Sequence, residues 1–339
     1  MNIEELKSIA KQMVAPGKGI LAADESTGTI GKRFDKISVE NTEPNRRAWR
    51  ELLFTSENIG DYISGVILFD ETLRQSTEDG RSFVSVLNEA GVLPGIKVDQ
   101  GTAADPSSPN EKVTNGLEGL PDRLKEYAQL GAKFAKWRAV ITIDEANNLP
   151  TDENLRQNAR DLARYAKDCQ EAGIVPMVEP EVLMDGKHTM EKCEEVSEKI
   201  LTYLFEELKK AGVAIEGTIL KTNMVIPAKE SGQASSPEKI AEATLRLFKK
   251  VLPANLPGQA FLSGGQSEVE ATENLNQMNK ETDLPWELSF SYGRALQQSA
   301  LVAWSGKKEN LEKAQKAFLH RAKMNSLART GNYDSSLEK

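Results

Sequence analysis

Histidine and cysteine are scarce in this 339-residue sequence, which contains two of each. Neither His188 nor His320 lies in a stretch rich in histidine or cysteine. A zinc site of the usual histidine and cysteine type is therefore poorly supplied, and so is a Ser-His-Asp triad. Any acid–base chemistry must then come from carboxylates, lysines or tyrosines.

Long apolar runs are lacking as well, so no transmembrane helix and no membrane partner are predicted. The N-terminal stretch MNIEELKSIAKQMV is charged and amphipathic, and it lacks the apolar core of a signal peptide. With Cys169 and Cys193 as the only cysteines, we expect a reducing, cytoplasmic location and no disulfide framework. The net charge of −8 argues against a nucleic-acid partner, but it leaves an anionic small molecule open as a substrate because local cations decide that.

Apolar segments of strand length alternate with amphipathic segments along the chain. The eight apolar segments are 17–24, 62–69, 95–99, 133–143, 174–181, 216–225, 258–265 and 287–293. This alternation predicts an α/β fold, a single-domain (β/α)8 TIM barrel, with an open doubly wound sheet as the runner-up. We expect the domain to cover 1–339, with an N-terminal helix and a C-terminal helix and tail at about 307–339. The segment 101–123 is expected to be a long loop with a turn.

Polar side chains gather at the C-terminal ends of the predicted strands. They are Asp24, Lys97, Asp99, Lys136, Arg138, Glu179, Glu181, Lys221, Asn223, Ser263, Ser289 and Ser291. Residues two apart on a strand share a face, so Lys136 and Arg138 point together with Trp137 opposite. Because active sites of barrels are built at this end of the strands, the recurrence predicts a site there.

Lys221 interrupts the apolar stretch GTILKTNMVI. One interpretation is a lysine at a strand end whose ammonium group extends to water. The other is a nucleophilic amine, because burial and a nearby cation such as Lys136 or Arg138 would favour the neutral form. The residues alone leave both interpretations open.

Three carboxylates also have two interpretations each. Glu179 and Glu181, in VEPE, could be a solvated pair on a loop or proton carriers at a barrel mouth. Asp24, in AADESTG, could act at the same mouth or could cap a helix, with Ser26 and Thr27 as rivals for the cap.

Two glycine-containing stretches follow the last two predicted strands. In LSGGQSEVEA, Gly264 and Gly265 precede a predicted helix, although Ser267 and Glu270 would also form a simple capping box there. In SFSYGRALQQSA, the Gly-Arg pair at 293–294 begins a helix. Exposed N–H groups at helix starts bind anions, and the loops after strands seven and eight of barrels often hold phosphate.

Several long motifs resemble class I fructose-1,6-bisphosphate aldolase, in order from about residue 3 to residue 333. They are GILAADESTGTIGKRF, GIKVDQG, FAKWRAVI, VEPEVL, ILKTNMV, FLSGGQSE and FSYGRALQ. The resemblance implies a (β/α)8 barrel, a homotetramer, and no metal or other cofactor. It also implies reversible cleavage of fructose 1,6-bisphosphate into dihydroxyacetone phosphate and glyceraldehyde 3-phosphate, in glycolysis or gluconeogenesis.

The resemblance carries roles to particular residues. Lys221 matches the Schiff-base lysine, Glu179 the proton-transfer glutamate with Glu181 in support, Asp24 the aspartate of the AADES motif, and Lys136 the second active-site lysine. One phosphate would be held by residues matching Ser263, Gly264, Gly265, Ser291, Gly293 and Arg294. The other phosphate would be held by residues matching Ser26, Thr29, Arg33, Lys97 and Arg138.

The sequence departs from the resemblance at three places. Thr29 stands where many members have serine, so a hydroxyl is retained, and Thr222 stands where many have proline. Animal and plant members carry a longer tail that ends in a tyrosine assisting proton exchange, and Tyr333 lies too early to match it.

Other functions remain as alternatives to this interpretation. A different Schiff-base lyase, such as a transaldolase or deoxyribose-phosphate aldolase, would use the same lysine but fits paired phosphate sites less well. A metal-dependent phosphosugar isomerase or enolase-like enzyme would use Asp24, Asp99, Glu179 and Glu181 as ligands. A non-catalytic binding or scaffold protein would have no use for the lysine and carboxylate set.

Overall fold

The computed structural model describes residues 2–339, and ten β-strands lie within them. The strands are β1 (Gly19–Ala23), β2 (Ile63–Leu68), β3 (Leu93–Lys97), β4 (Thr102–Asp105), β5 (Ser108–Thr114), β6 (Phe134–Ile141), β7 (Val175–Val182), β8 (Ile219–Thr222), β9 (Gly258–Phe261) and β10 (Glu287–Tyr292). Eight of them form a closed parallel barrel in the order β1-β10-β9-β8-β7-β6-β3-β2. The predicted (β/α)8 barrel is therefore confirmed, and each of the eight apolar segments contributes one barrel strand.

Twelve α-helices lie within the described residues, and α2 to α10 lie between strands of the barrel. They are α1 (Ile3–Met13), α2 (Thr27–Asp35), α3 (Glu43–Phe54), α4 (Asp70–Leu73), α5 (Phe83–Glu89), α6 (Leu120–Gln129), α7 (Asp152–Glu171), α8 (Met190–Lys210), α9 (Pro237–Val251), α10 (Glu268–Met278), α11 (Arg294–Trp304) and α12 (Leu311–Ala328). No helix in the described part of the chain is both long and apolar enough to cross a membrane.

Local sequence explains where these elements form. Strands β2 and β7 are buried at every position, which is typical of parallel strands covered on both faces; β7 is apolar apart from Glu179 and Glu181. Helices α2, α7 and α9 begin directly after Ser26, Thr151 and Ser236, whose hydroxyls accept a backbone N–H of the first turn. Such caps satisfy donors that a helix start otherwise leaves unpaired.

The lower barrel interior is filled by the ring of Phe134. A Cβ atom on Gly95 would lie 2.3 Å from this ring, and one on Gly65 would lie 3.0 Å from it. Because glycine has no side chain at these positions, the ring can occupy the space between neighbouring strands.

Helix α1 closes the N-terminal end of the barrel. Its apolar residues form one buried cluster with inward-facing residues of the strands; the cluster is Leu6, Ile9, Ala10, Met13, Val14, Ile20, Ala22, Ile67, Phe134, Val175, Met177, Ile219 and Ala260. A Cβ atom on Gly217 would lie 3.0 Å from Leu6, and one on Gly258 would lie 3.0 Å from Val14. The interior thus opens to solvent mainly at the other end.

The expected long loop at 101–123 instead contains an antiparallel hairpin, formed by β4 and β5 outside the barrel. Helix α7 fixes this hairpin. The Asp105 carboxylate accepts a hydrogen bond from Asn154 Nδ2 at 2.8 Å, and the Glu111 carboxylate accepts from Thr151 N at 2.8 Å and Oγ1 at 2.6 Å. The hairpin therefore depends on tertiary contacts that its own sequence does not display.

The C-terminal segment after α12 folds back onto that helix. A short turn at Ser335–Glu338 brings Glu338 to the buried Arg321, whose two Nη atoms donate to the carboxylate at 3.0 and 2.5 Å. The Tyr333 hydroxyl donates to the same carboxylate at 2.8 Å. One carboxylate therefore holds the segment in place.

Candidate active site

A cavity of about 1090 Å³ opens at the C-terminal ends of the barrel strands. It is lined by every residue to which the resemblance assigned a role: Asp24, Ser26, Thr29, Arg33, Lys97, Lys136, Arg138, Glu179, Glu181, Lys221, Ser263, Gly264, Gly265, Ser291, Gly293 and Arg294. The geometry thus brings the set together, while the role of each residue stays a prediction. A volume of this size is typical of small-molecule sites.

Strand register determines which of these side chains meet. In the β6–β7 pair, Arg138 lies opposite Glu179, so the alternating residues of both strands project to the same side. Lys136 projects into the cavity, whereas Trp137 points outward and stacks on Tyr165 with ring centroids 5.6 Å apart. The predicted opposition of Lys136 and Trp137 is therefore present.

Four side chains, of which Lys221, Glu179 and Lys136 are buried and Asp24 is 12% exposed, form a continuous chain of opposite charges. Lys221 Nζ lies 3.0 Å from Glu179 Oε1, and Lys136 Nζ lies 3.3 Å from Glu179 Oε2. On its other side, Lys136 Nζ lies 2.8 Å from Asp24 Oδ2. The side chains of Lys221, Glu179 and Lys136 are each only 5% exposed, so Lys221 does not extend to bulk water. A proton can therefore pass between neighbours over hydrogen-bond distances.

Burial and neighbouring charges act in opposite directions on these groups. Burial by itself would raise the pKa of Asp24, but Lys136 and Lys221 outweigh it, and the pKa lies well below its usual range. Burial would lower the pKa of Lys136, but Asp24 and Glu179 raise it overall. Asp24 is therefore a carboxylate and Lys136 an ammonium group at neutral pH.

Glu179 and Glu181 have pKa shifts of opposite sign. Burial raises the pKa of both, but Lys221 and Lys136 lower that of Glu179 below its ordinary value. Among residues 2–339, Glu181 forms an ion pair with Arg138 alone, and its pKa stays raised. Two carboxyl groups with pKa values pushed apart can have different roles in one reaction.

Asp99 is a further buried carboxylate that the role assignment left out. Lys97 Nζ donates to the main-chain oxygen of Asp99 at 2.7 Å and lies 2.6 Å from its Oδ1. Asp99 Oδ2 lies 3.8 Å from Lys136 Nζ. The signal in the sequence is its position at a strand end, two residues after Lys97. Asp99 therefore fixes one cation of the cavity and helps to balance another.

The metal-binding alternative does not fit this geometry. Lysine ammonium groups lie between the carboxylates of Asp24, Asp99 and Glu179, and Glu181 is paired with Arg138. Within residues 2–339, no three histidine, cysteine or carboxylate side chains are arranged to hold a metal ion. The carboxylates balance lysines instead of converging on one point.

The capping box predicted for the glycine stretch after β9 is present, and the stretch also borders the cavity. Ser267 and Glu270 form a complete capping box at the start of α10. Gly264 and Gly265 precede it with φ values of 53° and 84°, in the left-handed region that glycine adopts without strain. A Cβ atom on Gly265 would lie 2.4 Å from Met184 Sδ. The backbone can therefore line the cavity only because these positions are glycine.

The stretch after β10 places a second helix start at the cavity. Gly293 is the N-terminal flanking residue of α11, and Arg294 is its first residue. The buried hydroxyl of Ser291 has no hydrogen-bond partner among the described residues and borders the same cavity. A helix start, an arginine and an unpaired hydroxyl together suit an anionic group.

Ser26 resolves the competition for the cap of α2. Its Oγ accepts a hydrogen bond from Thr29 N at 3.4 Å and lies 3.1 Å from Thr29 Oγ1. Asp24 therefore has no capping task, and its carboxylate points to Lys136.

A buried lysine paired with carboxylates at the mouth of a (β/α)8 barrel defines a class of barrel enzymes that work through a reactive amine.

Comparison with known proteins identifies the family within this class. Residues 5–339 match the family model described as fructose-bisphosphate aldolase class-I. Fructose-bisphosphate aldolase 4, cytosolic, of Arabidopsis thaliana is 57% identical over 97% of this chain and 84% of its own length. The probable fructose-bisphosphate aldolase class 1 of Xanthomonas campestris is 54% identical over 98% and 99% of the two chains. The aldolase of Plasmodium falciparum, solved with TRAP and a small-molecule inhibitor, has a TM-score of 0.97 and 50% identity, covering 98% and 96%.

The chain belongs to the class-I fructose-bisphosphate aldolase family. It is accordingly a carbon–carbon lyase that cleaves fructose 1,6-bisphosphate through a lysine Schiff base and needs no metal. This assignment replaces the alternatives that the sequence left open, namely a different Schiff-base lyase, a metal-dependent phosphosugar enzyme and a non-catalytic protein.

Proposed function

We propose that Lys221 is the lysine that forms the Schiff base with fructose 1,6-bisphosphate. The observation that carries this proposal is the buried chain Asp24–Lys136–Glu179–Lys221, in which each charged atom is within 3.3 Å of the next. Lys221 is the end of this chain, and Glu179 at 3.0 Å can accept the proton that its amine must lose before attack.

Imine formation uses the Lys221–Glu179 pair. The neutral amine attacks the ketone carbon of the open-chain sugar and forms a carbinolamine. Glu179 then donates a proton to the departing hydroxyl group, water leaves, and an iminium ion remains. Because the pKa of Glu179 is lowered, it is ionised at rest and must first receive the proton that Lys221 releases. The proton that Lys221 releases to Glu179 is thus the proton that Glu179 later donates to the departing hydroxyl group.

Carbon–carbon cleavage uses the other end of the chain. The carboxylate of Asp24 accepts the proton of the hydroxyl on the fourth carbon, and the bond between the third and fourth carbons breaks. Its electrons move into the iminium, which becomes an enamine, and glyceraldehyde 3-phosphate leaves. Lys136, 2.8 Å from Asp24 and 3.3 Å from Glu179, stabilises negative charge that develops on oxygen. Protonation of the enamine and hydrolysis of the imine then release dihydroxyacetone phosphate.

The two ends of the cavity hold the two phosphate groups. The first group of residues, at the ends of β9 and β10, offers backbone N–H groups and Arg294; it is Ser263, Gly264, Gly265, Ser291, Gly293 and Arg294. The second group, Ser26, Thr29, Arg33, Lys97 and Arg138, offers hydroxyl groups and cations. Binding energy from the phosphates then positions the ketone carbon over Lys221.

The finer features of the assembly belong to the same proposal. The whole chain forms one domain, four copies associate into a homotetramer, and the enzyme works in the cytoplasm on a small sugar bisphosphate. The resemblance of the sequence supports the tetramer, and the cytosolic names of plant relatives support the location. Light scattering coupled to size exclusion measures the oligomer: a mass of four chains supports the tetramer, and a smaller mass contradicts it.

Reductive trapping tests the role of Lys221. Incubation with dihydroxyacetone phosphate and borohydride, in the presence of a chelator, should give a stable mass increase that maps to the peptide containing Lys221. Lys221→Arg keeps the positive charge but should give no adduct and no turnover. Lys18→Arg is the matched control, since Lys18 is a partly buried lysine of the same chain whose Nζ donates to Gly60 O at 2.5 Å, outside the cavity. Turnover by Lys221→Arg would refute the assignment.

A further inference from the structure

Arg33, one of the proposed phosphate-binding residues, contacts a buried group of side chains that has no role in the reaction described above: Glu25, Arg50 and Gln297. Glu25, the residue after Asp24, contacts Arg33 through one carboxylate oxygen. Its other oxygen, Oε2, lies 2.6 Å from Arg50 Nη2. Gln297 Nε2 donates to Glu25 Oε1 at 3.1 Å and to Ala22 O at 2.8 Å. One carboxylate therefore joins two arginines and an amide from three different helices.

The two arginines differ in their access to the cavity. Arg33 borders the cavity with a side chain that is 21% exposed, and its Nη2 would lie 3.5 Å from a Cβ atom placed on Gly293. Arg50 is 3% exposed and does not border the cavity. Arg33 can therefore contact a bound phosphate, whereas Arg50 can act only through Glu25.

We propose that Glu25 is a positioning residue that holds the guanidinium of Arg33 where it borders the cavity, and that Arg50 and Gln297 hold Glu25. This inference rests on the proposed phosphate sites and deepens them. Arg33 is a long side chain on the surface of α2 and would otherwise have several rotamers available. The pairing with a carboxylate that is only 4% exposed selects one of them before substrate arrives.

These contacts also explain why Arg50 is buried next to the cavity without bordering it. Arg50 on α3 pairs with Glu25, so the carboxylate keeps a cation on the side away from the cavity. Gln297 lies one turn after the start of α11, where Gly293 and Arg294 border the cavity. Its amide ties Glu25 to that helix. The position of Arg33 is therefore set relative to α11 as well as to its own helix, α2.

This arrangement predicts an effect on substrate binding more than on chemistry. Glu25→Gln removes the charge but keeps the shape, so Arg33 loses its ion pair and its fixed rotamer. We expect the KM for fructose 1,6-bisphosphate to rise about tenfold, the loss expected when one charge-assisted contact is misplaced. We expect kcat to stay within about threefold, because Lys221, Glu179 and Lys136 are not contacted by Glu25.

A double-mutant cycle tests whether Glu25 acts through Arg33. The variants are Glu25→Gln, Arg33→Gln and the two combined, with KM and kcat measured for each. If Arg33 carries the effect, adding Glu25→Gln to Arg33→Gln changes KM by less than about twofold. If Glu25→Gln raises KM equally in both backgrounds, Glu25 does not act through Arg33 and the inference is overturned.

Two controls separate positioning from loss of folding. Glu71→Gln removes an ion pair with Arg46, another arginine of α3, at 2.7 Å and outside the cavity, and it should leave KM unchanged. If Glu25→Gln does not fold because Arg50 loses its counter-ion, Arg50→Met replaces it in the test. That variant should raise KM with Glu25 intact, and an unchanged KM in folded protein overturns the role of Arg50.

Failure of this inference differs from failure of the proposed function. At saturating dihydroxyacetone phosphate, Glu25→Gln should still form the borohydride-trapped adduct on Lys221. If the adduct forms but the effects of Glu25→Gln and Arg33→Gln on KM are additive, the positioning role of Glu25 is refuted and the Schiff-base assignment of Lys221 stands. Absence of the adduct in the unsubstituted enzyme as well would remove the assignment on which the inference rests.

Discussion

Lys136 provides the most direct test of the charge chain in the cavity. It is buried between Asp24 at 2.8 Å and Glu179 at 3.3 Å, so it balances two carboxylates at once. Lys136→Met keeps a flexible side chain of similar length but removes the charge. The two carboxylates then lose the cation between them, and Lys221, 3.0 Å from Glu179, is the remaining ion-pair partner of that carboxylate among the described residues.

The size of the effect follows from Coulomb's law. At an effective dielectric constant near 20, a unit charge at about 3 Å contributes roughly 5 kcal/mol to a carboxylate, equivalent to about four pKa units. Water entering the truncated site and the remaining Lys221 reduce this change, so we expect a rise of at least about one to two units in the pKa of Asp24 and Glu179. Loss of charge stabilisation in the reaction should also lower kcat by at least about a hundredfold.

The pH dependence of kcat measures this directly. In the unsubstituted enzyme both pKa values are depressed, so Asp24 and Glu179 stay ionised into acidic solution. In Lys136→Met the raised pKa values should move the acidic limb of the profile upward, toward neutral pH. A loss of activity that is equal at every pH, with the limb unmoved, would show that Lys136 contributes shape and not charge. Borohydride trapping at each pH separates imine formation from bond cleavage.

Two further substitutions test other parts of the structure. Gly265→Ala should raise the KM for fructose 1,6-bisphosphate at least about tenfold with little change in kcat. The new Cβ would lie 2.4 Å from Met184 Sδ and 2.8 Å from Lys229 Nζ, at a backbone φ of 84° that alanine rarely adopts. An unchanged KM would refute the proposed phosphate role. Glu338→Gln should lower the free energy of unfolding by about 1–2 kcal/mol at pH 7, since its carboxylate holds Arg321. The folded-state pKa of Glu338 lies below its unfolded value, so this stabilisation is present above about pH 4.3 and is lost as the pH falls through the folded pKa. Urea unfolding should therefore give equal stabilities for the two proteins in strong acid, and a difference that persists there contradicts the ionic explanation.

The barrel could be predicted from sequence because its strands are buried on both faces. Such strands appear as continuous apolar runs, so a charged residue at the end of one, such as Lys221 or Glu179, is conspicuous. The hairpin of β4 and β5 could not be predicted in the same way. Its strands are largely exposed and follow no clear alternation, and they depend on Asn154 and Thr151 of a helix some forty residues later.

The cavity residues were predictable to the extent that they follow strands. Asp99 and Glu25 also lie at strand ends, but their importance comes from pairing with particular cations. Arg50 gives no signal in the sequence, because it lies in the middle of an amphipathic helix where an arginine usually faces water. Only the folded chain shows that this arginine is buried against the carboxylate of Glu25.

Helix α1 has a consequence for how the chain folds as it is made. It is synthesised before the barrel strands, yet it packs against Gly217 and Gly258, which are synthesised roughly 200 residues later. At a translation rate of about 5–20 residues per second, its apolar face stays without these partners for on the order of ten to forty seconds. Barrel closure waits longer still, because β1 pairs with β10 through Ile20 and Ser291. The nascent chain therefore carries an exposed amphipathic helix for most of its synthesis, and it is during this interval that a chaperone would have a surface to bind.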